Sequence, residues 1–307
     1  MSDEKSAEES KPEAAAAASE AESLPAPSST GAEPTQEGAA VPPPDAPATD
    51  AAASAQPSAA STSEGAAAKV PALQGALDAF RETNQTAFVV GHTGECGKAL
   101  VQELARTKIF SKVFLIGRRE VTLEGDVYKD FAVEQKVVDF DNLDASADVF
   151  KGPTVGYCCL GTTRGKAGKA GFVKVDHDYV MKVGELAKQN GCHQYHLISS
   201  TGANKDSSLL YPKVKGQVEA ETADLGFEKY SIYRPGLLMC KRKEFRFGEW
   251  IAQGLMKPVD YLSPGSATNT VVSVGQAMIA RTVKPAEESK VILGGKDIYR
   301  ASQEVTG

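Results

Sequence analysis

From residue 71 onward the apolar positions alternate between two spacings, and that alternation predicts the elements. Leu73, Ala76, Leu77 and Phe80 recur at helical spacing and stop at the polar Thr83-Asn84-Gln85. They predict a short amphipathic helix over residues 71–85 that packs on the body. Thr86-Ala87-Phe88-Val89-Val90 then reads as a strand that runs into Gly91, Gly94 and Gly97 and restarts as a helix over residues 98–105. Val113-Phe114-Leu115-Ile116 predicts a second strand, residues 136–140 a third, and residues 155–163 a fourth that closes on a tight glycine turn. After a polar loop, Val173, Val175, Tyr179, Val180, Val183, Leu186 and Ala187 form a helical stripe over residues 173–190, ended by Asn190-Gly191. Residues 194–198 give a fifth strand. Strands alternating with helices predict an α/β fold, a doubly wound parallel sheet with its ligand beyond the carboxyl ends of the strands. The part from about residue 239, with Phe245, Trp250 and a helix-like run from Val274 to Val283, is expected to lid a substrate cleft.

Composition sets residues 1–70 apart. They are Ala, Ser, Pro, Glu and Thr with hardly an aromatic, so they bury too little apolar surface to offset chain entropy and are expected to be a disordered tail. Residues 1–80 hold three lysines against thirteen acidic residues, so the chain's net charge of −6 combines an acidic tail with a mildly basic body. The tail reads first as a solvated linker, with partner binding or shielding of a basic groove as other uses. It lacks the apolar core of a secretory signal, and it is acidic and poor in Arg, unlike a mitochondrial presequence. No later stretch has the ~20 apolar residues that span a bilayer, so no transmembrane segment is expected. A soluble cytoplasmic protein follows, with the nucleus or the periphery of the nuclear envelope as the alternative location. No direct nucleic-acid site is expected, and the chain is read as a monomer or weak dimer.

The five cysteines, Cys96, Cys158, Cys159, Cys192 and Cys240, form neither metal spacing nor a disulfide framework. Cys158 and Cys159 read as core, whereas Cys96 sits at a helix N-terminus where a thiolate is favoured, so it reads first as packing and second as a redox residue. His92, His177, His193 and His196 share no ligand spacing, and no metal site is expected.

The candidate chemistry begins at the glycine turn. A strand that stops at Gly91, Gly94 and Gly97 and restarts as a helix leaves unpaired backbone N–H groups at the positive end of the helix dipole, where a phosphate can sit. Alone, such a turn is common punctuation. Arg118-Arg119 lies 27 positions beyond Gly91, at the end of the second strand, where an acidic residue would bind the ribose hydroxyls of NAD and a basic one accepts the 2′-phosphate of NADP. NADPH is therefore the expected cofactor. Asp139, at the end of the third strand, is expected at the adenine edge, and Leu160-Gly161, at the end of the fourth, beside the ribose and pyrophosphate. After the fifth strand come Ser199-Ser200 and then Tyr211-Pro212-Lys213-Val214-Lys215. Tyr and Lys at i and i+4 share a helix face, with Pro212 tolerated in the first turn. A Lys beside a phenol favours the phenolate, so the Tyr can act as acid or base nearer neutrality than its usual ~10 allows. A nearby Ser hydroxyl can polarise a substrate carbonyl, and Ser199 and Ser200 are not separable by sequence. In isolation Tyr211 reads as packing and Lys215 as a solvated charge; the order of all these features is what argues for hydride transfer to a carbonyl.

That order resembles the atypical branch of the short-chain dehydrogenase/reductase superfamily, and with it a Rossmann-type fold. Phe114-Leu115-Ile116-Gly117-Arg118-Arg119, the run from Cys158 to Gly168, and Tyr233-Arg234-Pro235-Gly236-Leu237-Leu238 narrow the resemblance to the Tat-interacting oxidoreductase family, a metastasis-suppressor group. The resemblance implies NADPH held by Thr93, Gly94, Glu95 and Cys96, by Arg118 and Arg119, and by Leu160 and Gly161. It implies Tyr211 as proton donor or acceptor, Lys215 on the ribose, Leu238 against the nicotinamide, and Arg246 over the cofactor, where a solvated loop is the competing account. Many short-chain enzymes support the active Lys through an Asn, but the corresponding place here reads Val175-Asp176-His177. Two functions remain: an oxidoreductase with a small-molecule carbonyl substrate, or an NADPH-dependent regulatory module that binds protein partners with little turnover.

Overall fold

The central strands bury both faces, which is why their apolar runs are continuous. A computed structural model describes residues 69–239, 264–285 and 288–306; Phe245, Arg246, Trp250 and the tail over residues 1–68 lie outside the described residues. The elements run in chain order as α1 (Lys69–Glu82), β1 (Thr86–Val90), α2 (Glu95–Thr107), β2 (Lys112–Gly117), β3 (Val133–Val137), β4 (Val155–Cys158), α3 (Arg164–Val173) and a π-helical turn (Lys174–Asp178). They continue as α4 (Tyr179–Gln189), β5 (Gln194–Ile198), α5 (Leu210–Asp224), β6 (Lys229–Arg234), β7 (Leu237–Met239), β8 (Thr268–Thr270), α6 (Val271–Val283), β9 (Lys290–Gly294) and α7 (Gly295–Thr306).

Seven strands pair in parallel in the order β3-β2-β1-β4-β5-β6-β9, a Rossmann-type doubly wound sheet whose order reverses between β1 and β4. Alternation along β1 divides the core. Ala87 and Val89 join a cluster with Leu73 and Leu77 of α1, Leu100 and Leu104 of α2, and Val274 and Met278 of α6. Phe88 and Val90 join the opposite cluster with Val180 and Val183 of α4 and Val218 of α5. Because β1 and β4 neighbour each other across the reversal, their carboxyl ends open the crevice in which such folds place a ligand. No described helix is long and apolar enough to cross a membrane.

Four expectations are corrected. The third strand ends at Val137, and Asp139 caps the following 3-10 segment, its carboxylate accepting from Asp141 N at 2.9 Å. The fourth strand stops at Cys158, which leaves residues 159–163 as a turn. Residues 164–172, expected as a loop, are helical; Gly168 at φ +69° kinks α3, and its alternating Gly, Ala and Lys give no apolar stripe to read. Finally, α6, expected in the lid, is a core helix: its buried face packs against α2, where a Cβ on Gly275 would be 3.2 Å from Leu100 Cα, and β9 extends the sheet beyond β6, while the remainder of the expected lid, with Phe245 and Trp250, lies outside the described residues.

A polar network crosses the α6 side of this core. His196 is fully buried, its ring stacked between Tyr157 and Tyr233. The Gln194 amide nitrogen, which can only donate, lies 3.0 Å from His196 Nε2, so Nε2 accepts and Nδ1 carries the proton toward the Tyr233 hydroxyl at 2.9 Å. Burial, with the charges of Lys229 and Arg281, holds the imidazole well below its ordinary 6.5. The folded state therefore refuses a proton that the unfolded chain takes up as pH drops through 6.5. Stability should fall below that point by up to about 1.4 kcal/mol per pH unit from this one site. Urea unfolding at several pH values should show that slope, shallower in His196→Gln; equal slopes would remove His196 as its source.

Candidate active site

Two of the turn glycines are required by close approach. Gly91 has φ +77°, and a Cβ there would lie 2.4 Å from the Cys159 carbonyl carbon. A Cβ on Gly97 would lie 2.2 Å from the Gly91 carbonyl oxygen. The first glycine thus lets β1 turn tightly against the end of β4, and the third lets α2 start directly above the turn. Gly94 is the N-cap of α2 and makes no side-chain cap bond, so the helix begins at the cleft without a side-chain cap over its N-terminus.

A cleft of about 340 Å³ opens in front of this turn. Gly91, Thr93, Gly94, Arg118, Arg119, Leu160 and Gly161, all expected, line it. His92, Gly117, Phe140, Cys159, Thr162, Ala167, Val175 and Tyr179 line it as well. Both arginines are exposed, and neither forms an ion pair among the described residues. Glu95, Cys96 and Gly97 form the first turn of α2 and are not among the residues lining this cleft; Glu95, its carboxylate 3.6 Å from Lys98 Nζ, lines a second cavity with His92, Thr93 and Arg119. Asp139 and Leu238 are not among its lining residues. Leu238 packs on the α6-side core and pairs with Asn269 of the small second sheet, and Asp139 is occupied by its cap. Burial raises the thiol pKa of Cys158 and, further, of Cys159, so neither is primed as a thiolate.

The other end of the cleft meets α5. Lys215 is buried and its ammonium lies 2.8 Å from Asp176 Oδ1; Asp176 is 1% exposed, and its other oxygen accepts from Thr162 N at 2.7 Å. Burial lowers the Lys215 pKa, but Asp176 foremost, with Tyr211, more than offsets it, and the ammonium is held above its ordinary range. A Cβ on Gly161 would sit 3.5 Å from Asp176 Oδ1 and 3.9 Å from Lys215 Nζ, so the turn over residues 159–162 faces the pair directly. Tyr211, one helical turn before Lys215, is 47% exposed, and its ring stacks on Phe172 of α3 at 5.4 Å.

Strand alternation separates the two serines. Tyr195 and Leu197 belong to the cluster under α5, whereas Ile198 packs on the opposite one. Ser199 N continues the ladder to the Tyr233 carbonyl at 2.7 Å, so Ser199 falls on the α5 side and Ser200 on the other. Both hydroxyls are buried without a hydrogen-bond partner among the described residues. Asp176 is the residue whose part sequence reasoning missed. Its position was legible as the place of the usual Asn, but a π turn brings its carboxylate to Lys215, and such a turn has no periodic signature. Below Lys215 on the same helix face, Glu219 grips Arg234 of β6, with Arg234 Nε 2.9 Å from Oε1, and so ties α5 to the sheet.

The chain is 46% identical over 229 residues to rat Protein HTATIP2, an alignment that covers 74% of this chain and 93% of that protein. It belongs to the Tat-interacting oxidoreductase family. The family's relatives extend to fungi: "Protein FMP52, mitochondrial" of Eremothecium gossypii is 35% identical over 56% of this chain and 76% of that protein, and its Saccharomyces cerevisiae counterpart 36% over 52% and 70%. These names correct the expected cytoplasmic or nuclear location, because they point to the mitochondrion. No family model matches the sequence. Among solved structures, a short-chain type dehydrogenase/reductase from Mycobacterium ulcerans aligns with TM-score 0.52 at 17% identity, over 70% of this chain and 90% of that one. MoeE5, solved in complex with UDP-glucuronic acid and NAD, aligns at 0.53 and 14% identity, over 68% and 76%. These likenesses show that the chain shares the fold of these two proteins.

Proposed function

We propose that the chain is an NADPH-dependent reductase of small carbonyl compounds with Tyr211 as its acid/base. One observation carries the reading: the turn over residues 159–162 touches the phosphate-type glycine turn at Gly91 and the buried Lys215–Asp176 pair at Gly161. A dinucleotide laid from Arg118 and Arg119 across Gly91 to Gly161 ends beside the helix that carries Tyr211.

The residues fit such a group. Gly91 and Gly97 permit close backbone approach, the N-terminus of α2, which has no side-chain cap, suits a pyrophosphate, and the two arginines suit a 2′-phosphate. When bound, NADPH supplies the hydride. Tyr211 Oη gives its proton to the carbonyl oxygen, Ser199 Oγ donates a hydrogen bond to that oxygen, and Lys215 favours the phenolate left behind. Asp176 holds Lys215 charged. The names of the fungal relatives support a mitochondrial setting.

The cofactor assignment is tested by fluorescence titration of the full chain. NADPH should bind about tenfold or more tightly than NADH, the worth of one or two charge-assisted contacts to a phosphate. Equal affinities would overturn the role of Arg118 and Arg119. A carbonyl panel that turns over NADPH supports the reductase; tight NADPH binding with a silent panel would favour the regulatory module.

A further inference from the structure

His92, the second residue of the glycine turn, is not explained by the packing around it. Its imidazole is 4% exposed, and among the described residues neither Nδ1 nor Nε2 has a well-aligned hydrogen-bond partner. The backbones of Ile116 and Val89 approach the ring without reaching hydrogen-bonding geometry. Burial foremost, with the charge of Arg119 adding to it, lowers the pKa of this histidine below its ordinary 6.5. The ring is therefore neutral near pH 7 and carries one N–H donor, for which the described residues offer no well-aligned acceptor. Leaving a buried donor unused is costly, and folded proteins mostly avoid it, so such a group beside a cleft points to a bound partner that completes the bond.

The surroundings indicate which ligand. The ring fills the space that the missing side chain of Gly117 leaves at the end of β2: a Cβ there would be 2.5 Å from His92 Cε1. Gly117 immediately precedes Arg118 and Arg119, and His92 and both arginines line the same cleft. A buried, unspent donor thus stands beside two exposed guanidinium groups at the end of the cleft assigned to the adenosine.

We infer that His92 reads the phosphate bound by Arg118 and Arg119, donating its ring N–H to it, and so sets the preference for a 2′-phosphorylated adenosine over its 2′-hydroxyl counterpart. The inference rests on the cofactor reading above. The pyrophosphate is the other anion a turn residue could meet, but it is common to both cofactor types, so a ratio of affinities separates the two.

Calorimetric titration of the full chain with adenosine 2′,5′-bisphosphate and with adenosine 5′-monophosphate makes the test without any turnover. His92→Phe keeps a ring against Gly117 but has no N–H; His92→Ala carries the same test if the Phe variant does not fold. The bisphosphate should bind the variant about tenfold or more weakly than wild type, the worth of one hydrogen bond to a charged group, with the monophosphate unchanged. Equal losses for both probes would make His92 a packing residue and overturn the inference. A wild-type preference that survives intact in the variant overturns it too, and leaves the cofactor reading standing. Wild type that shows no preference overturns both.

Discussion

Tyr211→Phe is expected to lower carbonyl reduction by about 10²–10⁴-fold, the usual contribution of a positioned acid or base, while NADPH affinity stays close to wild type. The expectation follows from placement. Tyr211 is 47% exposed on the first turn of α5, and its ring is held by stacking on Phe172. Phenylalanine keeps that stacking, so loss of the hydroxyl alone is measured. Single-turnover reduction by NADPH-loaded protein, read as the fall in nicotinamide absorbance, separates proton transfer from binding. Turnover retained in the variant would take Tyr211 out of the mechanism, and a parallel loss of NADPH affinity would make it a binding residue instead.

The second large effect is on stability. Asp176→Asn keeps an acceptor for Thr162 N but leaves the Lys215 ammonium buried without its counter-charge. Breaking one side of a buried pair costs about 3–5 kcal/mol, because the remaining charge has no solvent to turn to. For a body of this size that corresponds to a melting temperature lower by about 6–20 °C, at 2–4 °C per kcal/mol. Differential scanning calorimetry of both proteins without added cofactor is the measurement. A shift within about 1 °C would show that Lys215 finds another partner or gives up its proton at little cost.

The parts of this site that were legible in the sequence are those fixed by local chemistry. Three glycines between a strand and a helix, two arginines after the next strand, and Tyr211 four residues before Lys215 each state a requirement that holds within a few residues. The fold was legible where hydrophobic period was clean: β5 falls on residues 194–198 as expected, and the first helix differs from expectation by a few residues at each end. What escaped is what depends on residues far apart in the chain. His92 reads as an ordinary turn residue until Gly117 of the next strand is seen to make room for its ring. The run Val274 to Val283 is helical in either reading, and only its burial against Leu100 distinguishes a core helix from a lid. Asp139 stands one residue before a 3-10 segment, and a cap at that place is invisible without the segment.

The π-helical turn Lys174–Asp178 carries a consequence for how this site is held together. A π turn is an α-helix holding one residue more than its hydrogen-bond ladder needs. Each residue advances an α-helix by about 100°, so that extra residue lets the two sides of the turn keep independent rotational phases. α4 can keep Val180 and Val183 against the sheet while Asp176 turns toward Lys215. Removing the extra residue would restore a regular helix and swing everything before α4 by that angle, the carboxylate included. The Lys215–Asp176 pair therefore depends on the one extra residue that the π turn holds.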